Sequence, residues 1–246
     1  MAETKHAAPG ANTAFTAAVK SFLVPGGGQL PFATSFNIVS EAVTGTQIPF
    51  QYVTMPGNQP QQYANTVFIW QTSSTQIPVG TKPLNTWSVV GNNPDGDNVF
   101  TKLSVTQLSY LLGYGTGPDV KNIAATSFLP ATGGGSANPT TFQPSIQMTY
   151  SGAGSVAFNY SMPPGARPLS DGDWVGLWQG LDESALYTVA PNWFVQVPQD
   201  FSNGSRALNG VTILRGTVYT LGYFRGSYDA AKPKQSTLAC STTWLT

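Results

Sequence analysis

The residues able to carry chemistry are few, and the acids among them cluster. Asp171, Asp173, Asp182 and Glu183 share one short stretch. A glycosidase uses a pair of carboxylates, one as acid and the other as base or nucleophile, and a cluster in sequence is formally compatible with one. Asn93, Asp95 and Asp97 in NNPDGDN have the alternating oxygen donors of a calcium loop, and Asp171-Gly172-Asp173 echoes them. No glutamate closes that loop, and Asn-Pro-Asp-Gly is also an ordinary turn sequence. His6 is the only histidine, so a Ser-His-Asp triad or a histidine zinc site lacks its central group. Two Trp-Gln pairs, Trp70-Gln71 and Trp178-Gln179, offer a ring beside an amide, a pairing suited to stacking on a sugar or anchoring a protein contact.

Those residues must be positioned by a chain with an unusual surface. Of its 246 residues, 41% are hydrophobic, enough for one large or two smaller cores, yet only 9% are charged, with 11 of each sign. An average soluble domain carries about 25% charged residues, so Ser, Thr, Asn, Gln and Gly must cover this one. Zero net charge and the lack of a Lys/Arg run argue against duplex nucleic acid, whose phosphates demand a basic stripe. Apolar runs fall short of a bilayer span, and Met1 to Gly10 lacks the basic-then-apolar order of a signal peptide. A soluble protein is expected, cytoplasmic or exported by a signal-less route. With Cys240 as the single cysteine, no intrachain disulfide can form.

Two stretches, FQYVTMPGNQP from Phe50 and FNYSMPPGARP from Phe158, repeat one pattern. An offset of 108 lays Phe50, Tyr52, Pro56, Gly57 and Pro60 on Phe158, Tyr160, Pro164, Gly165 and Pro168, and Val67, Ile69, Trp70 and Gln71 on Val175, Leu177, Trp178 and Gln179. One step further, Tyr110, Leu112, Gly113 and Tyr114 fall on Tyr219, Leu221, Gly222 and Tyr223. A near-constant offset over this length indicates tandem duplication. The stretch ATGGGSANPTTFQP from Ala131 to Pro144 reads as a linker unable to support helix or strand. The expected organisation is an N-terminal arm at 1–30, a domain at 31–130, a linker at 131–142 and a second domain at 143–246. Period-two alternation, as in Val156, Phe158 and Tyr160, together with regular Gly and Pro punctuation, predicts an all-β chain of two immunoglobulin-like sandwiches. Thr13 to Val24 alone follows helical spacing, through Phe15, Val19, Phe22 and Leu23, ahead of a hinge at Gly26-Gly27-Gly28.

The second copy, VAFNYSMPPGARPLSDGDWVGLWQ from Val156 to Gln179, resembles the SKICH domain, with a strand ending in Tyr, a Pro-Pro-Gly turn, an Asp-Trp-Val-Gly strand and a later Tyr-containing strand at Val218 to Phe224. Similar Asp-Trp-Val-Gly strands occur in the immunoglobulin-like domains of plant purple acid phosphatases. The first copy departs, with Asn65-Thr66-Val67-Phe68 where Asp173-Trp174-Val175-Gly176 would stand. The resemblance implies a non-catalytic sandwich that binds proteins or directs them to membranes, with Asp173 at a turn or strand start. The leading expectation is therefore a module without chemistry, acting through protein contacts or self-association. A lectin or toxin-like recognition protein, with Trp70 and Trp178 exposed to carbohydrate, is the alternative. By period two, Val175 and Leu177 face the core, and Trp174, Gly176 and Trp178 the other side.

Overall fold

A computed structural model describes residues 28–180 and 183–246. The expected helix at Thr13–Val24, most of its glycine hinge, His6 and Asp182 lie outside them. The described chain is all-β, with two sandwiches of like construction. In the first, β2 (Ser35–Ile38), β3 (Gln47–Val53) and β6 (Asp95–Thr101) form a three-stranded sheet. It packs on a five-stranded sheet that begins with β5 (Asn85–Ser88), β4 (Thr66–Gln71) and β7 (Tyr110–Gly115) and ends with β8 (Ile123–Leu129) and β9 (Thr140–Phe142). In the second, β10 (Ser145–Gly152), β11 (Ser155–Ser161) and β14 (Asn203–Asn209) face a sheet that starts with β1 (Gln29–Ala33) and β16 (Leu238–Leu245). That sheet continues through β15 (Val218–Phe224) and β12 (Trp174–Gln179) to β13 (Trp193–Gln196).

This division of successive strands between two antiparallel sheets is the immunoglobulin arrangement. Two tyrosine corners accompany it. The backbone N–H of Ser104 donates to the Tyr110 hydroxyl at 3.0 Å, and that of Leu214 to the Tyr219 hydroxyl at 3.0 Å, at repeat-equivalent positions. Each sandwich has its own core, Phe50, Val67, Ile69, Leu112 and Tyr114 in one, Phe158, Val175, Leu177, Leu221 and Tyr223 in the other. Glycines in the three-stranded sheets repeat as well: Tyr52 lies over Gly96 and Tyr160 over Gly204, each ring covering the backbone where a side chain is missing.

The boundaries of the two units differ from the sequence expectation at both ends. β1, which opens the first repeat, pairs antiparallel with β16, the last strand of the second, from Gln29↔Trp244 to Ala33↔Cys240. Only Thr34 separates β1 from β2, so one bent segment serves both sandwiches. Likewise the end of the expected linker is not free of structure. Thr140–Phe142 forms β9 against β8, and the chain then crosses into β10. The Gly, Ser, Asn and Pro residues end at Pro139, and Thr140, Thr141 and Phe142 are strand formers that take up the open edge of β8. The two repeats therefore exchange their leading segments.

Candidate functional site

The seam between the repeats is built by the repeated turns. Gly57 and Gly165 adopt φ of 83° and 88°, a left-handed conformation that glycine accepts without strain. Each turn presses on the other repeat. A Cβ at Gly57 would stand 2.6 Å from the Ser184 backbone, and one at Gly165 would stand 2.8 Å from the Ile77 carbonyl oxygen. Next to this contact the Ile77 N–H donates to the Pro164 carbonyl at 2.8 Å. Met55 and Tyr63 of the first repeat pack with Trp174, Trp178, Tyr187 and Phe224 of the second, and the Tyr63 and Tyr187 rings stack at 5.5 Å.

Period two places Val175 and Leu177 on the sandwich core and the tryptophans on the opposite face, as expected, but that opposite face is covered too. Trp70 is 2% exposed and Trp178 5%, and each indole N–H donates to a backbone carbonyl eleven residues on, of Thr81 at 3.1 Å and of Val189 at 2.8 Å. These rings hold their own loops against the seam, so the expected exposed stacking platform is not there. Their neighbours Gln71 and Gln179 are exposed. Gly176 has the Trp174 and Trp178 rings over it, which accounts for glycine at that place in Asp-Trp-Val-Gly.

Asp173 stands at the start of β12, and it is fully buried. Its carboxylate accepts from the Arg225 guanidinium, from the Tyr223 hydroxyl at 2.8 Å and from the Gly226 N–H at 2.7 Å. Arg225, also fully buried, reaches Asp171 at 3.3 Å and donates through Nε to the Ile123 carbonyl of the first repeat at 2.9 Å. Burial pushes the Asp173 carboxyl up to about 6, against the opposing pull of Arg225 and Tyr223. The first repeat carries a neutral version. Asn65 stands for Asp173 and accepts from the Tyr114 hydroxyl at 2.9 Å and from Asn58 at 2.8 Å, while Thr116, in the place of Arg225, donates to the Thr237 carbonyl at 3.1 Å.

Beside this pair a cleft of about 390 Å³ opens between the repeats, floored by Ile77, Val79 and Ala166. Asp119, Lys121, Arg167, Asp171 and Arg225 line it. With Asp173 behind them, three of the 11 basic and three of the 11 acidic residues of this charge-poor chain meet at one place. Arg167, on the turn before the short helix α1 (Pro168–Asp171), is half exposed and lies 4.0 Å from Asp171. Of the clustered carboxylates, Asp171 and Asp173 share Arg225. Glu183 begins a 3-10 turn, Glu183–Tyr187. Asp95 and Asp97, named with Asn93 as oxygen donors of a calcium loop, sit on β6 with exposed side chains, and Asn93 precedes that strand. Among the described residues no three of His, Cys, Asp and Glu gather to hold a metal ion. Cys240 is buried, and burial pushes its thiol well up, away from the nucleophilic thiolate.

No known protein family profile matches the chain, and no curated protein does. Among solved structures, the BSP domain of a biofilm-associated protein aligns with 83% of this chain and 28% of its own at 14% identity and a TM-score of 0.22. Trypsin-activated alpha-2-macroglobulin from Escherichia coli aligns with 88% of this chain and 17% of its own at 11% identity and a TM-score of 0.27. This chain thus spans less than a third of either. The immunoglobulin-like reading rests on the strand order and the two tyrosine corners. Among the described residues, no helix is long and apolar enough to cross a membrane.

Sequence reasoning missed Arg225, Asp119 and Lys121. Arg225 had a signal: it follows the repeated Tyr219-to-Tyr223 strand, where the first copy has Thr116, so the copies differ there in charge just as they do at Asn65 and Asp173.

Proposed function

We propose that the chain is a non-catalytic binding or assembly module whose two immunoglobulin-like sandwiches form one unit, with a protein partner engaging the cleft between them. The observation that supports this is the convergence of charge at that cleft. Elsewhere charge is sparse and scattered; here charges of both signs surround an apolar floor, a combination suited to a partner segment presenting both an apolar side chain and polar groups. Asp171 at the cleft and Asp173 behind it are held by Arg225, a positioning role that suits a docking surface better than proton transfer. The partial likeness to SKICH domains points the same way, toward protein contacts and no chemistry.

A photo-crosslinking residue replacing Val79, which is 42% exposed in the cleft, tests the reading against one replacing Val90, which is 78% exposed on a different loop. Irradiation in a native extract should give a discrete adduct, to another protein or to a second copy of this chain, from position 79 and not from position 90. Equal labelling from both positions, or none from 79, refutes the cleft as the contact surface. Light scattering of the purified chain identifies a second copy if that is the partner.

A further inference from the structure

A second cavity lies far from the charge cluster in chemistry. At one end of the second sandwich, the two sheets part around a space of about 670 Å³. Its walls are Met148 and Tyr150 of β10, Ile213 of the loop before β15, and Trp244 and Leu245 of β16. The opening is built by a register shift in β10 between Met148 and Tyr150, which widens that strand where it faces β16. Gln29 fixes the shift from the neighbouring sheet: its side-chain amide donates to the Met148 carbonyl at 2.8 Å and accepts from the Met148 N–H at 2.8 Å.

Three polar groups in this wall are unspent. Trp244 is 2% exposed, yet its indole N–H has no hydrogen-bond partner, and the buried Ser151 hydroxyl oxygen has none either. A buried donor left unpaired is costly, so a ligand acceptor that reaches it is favoured. Arg215, exposed on the lining, makes no ion pair among the described residues. The first repeat shows what a closed version looks like. There the corresponding end, near Thr44 and Thr106, is covered by the segment after β8: Thr132 and Gly133 donate to the Val105 and Thr106 carbonyls, Ala137 packs on the core, and the remaining space is about 240 Å³.

We propose that the open end of the second sandwich binds an amphipathic organic anion. Its apolar body lies between Met148, Ile213 and Trp244, an acceptor atom takes the Trp244 indole N–H, and its charge sits against Arg215. The volume suits a small molecule of drug or short acyl size, and a few placed polar groups within an apolar wall are what such sites use to orient a ligand.

The test uses the full chain and two probes of similar shape, the anionic 8-anilinonaphthalene-1-sulfonate and the uncharged N-phenyl-1-naphthylamine, titrated by fluorescence. The anion should saturate one site per chain and bind about tenfold tighter than the neutral probe. Arg215→Gln should erase that preference while leaving the neutral probe unchanged, and Trp244→Phe, which keeps a ring and removes the N–H, should weaken the anion several-fold. Thr149→Trp, which fills the mouth from an exposed position, should abolish both. A melting curve for each variant identifies any that fails to fold, and Arg215→Gln and Thr149→Trp, both at exposed positions, keep the test decisive if Trp244→Phe does. Absence of saturable binding, or an anion preference that survives Arg215→Gln, overturns the proposal.

Discussion

Gly165→Ala measures how much of the stability lies in the contact between repeats. An alanine held at φ 88° is strained by roughly 1–2 kcal/mol, of which about 0.4–1 kcal/mol is offset because alanine also restricts the unfolded chain. Gly210→Ala isolates this local term, since Gly210 has φ 72° and a Cβ there would meet nothing within 4 Å. At Gly165 the new methyl instead lands 2.8 Å and 2.9 Å from backbone atoms of Ile77, which cannot rotate aside. The Ile77 N–H to Pro164 hydrogen bond, worth about 0.5–1.5 kcal/mol, is lost or stretched, and displacing the backbone adds about 1–3 kcal/mol. The control should thus lose about 1 kcal/mol and Gly165→Ala about 3 kcal/mol. With an m-value of about 3 kcal/mol/M in urea, the midpoints should fall by about 0.3 M and about 1 M, read by tryptophan fluorescence. Equal shifts for the two variants would show that the turn does not bear on the other repeat, and the seam described above would be wrong.

Other expectations follow from the same geometry. Trp178→Ala should cost about 3–5 kcal/mol in urea unfolding because the ring is buried and its N–H is bonded to Val189; a loss below about 1 kcal/mol would contradict its burial. The whole chain should unfold in one transition, since β1 belongs to the sheet of the second repeat, and two well-separated transitions in calorimetry would refute the exchange of strands. Asp173 has its folded pKa raised from 3.8 to about 6, so it binds a proton more readily in the folded chain, and the stability it contributes is full below about pH 4 and lost as pH rises through 6. Arg225→Met removes the cation that opposes this rise, so the loss should deepen and extend above pH 6, with the variant much weaker at pH 8 than at pH 5; an equal loss at both pH values would refute the pairing.

The sequence made the repeat legible because offsets of 108 and 109 align residues whose roles are local: the Gly57 and Gly165 turns, the Tyr110 and Tyr219 corners, the strand alternation around Val67 and Val175. What it hid was non-local. Nothing in Gln29–Ala33 announces that its partner is Cys240–Trp244, because a strand's own pattern records which face is buried and not which edge it joins. Trp70 and Trp178 stand on the side opposite the sandwich core, as alternation requires, but alternation cannot report what covers that side: Ile77 and Ile123 of its own half for Trp70, and a cluster that includes Met55 and Tyr63 of the other half for Trp178. The charged pair was half visible: Asp173 was in plain view, while Arg225 had to be brought 52 residues back to meet it.

The antiparallel pairing of β1 with β16 sets how the molecule would respond to being pulled. Gln29 lies opposite Trp244, so residues 29 and 245 stand at the same end of one two-stranded ladder. Tension applied at residues 29 and 245 acts along the inter-strand hydrogen bonds, which run perpendicular to the strands, and loads them one after another, as a zipper is opened, where a shear geometry would load them all at once. A molecule tethered at those two points would yield first at this ladder, at low force, releasing β1 while both sandwich cores remain closed.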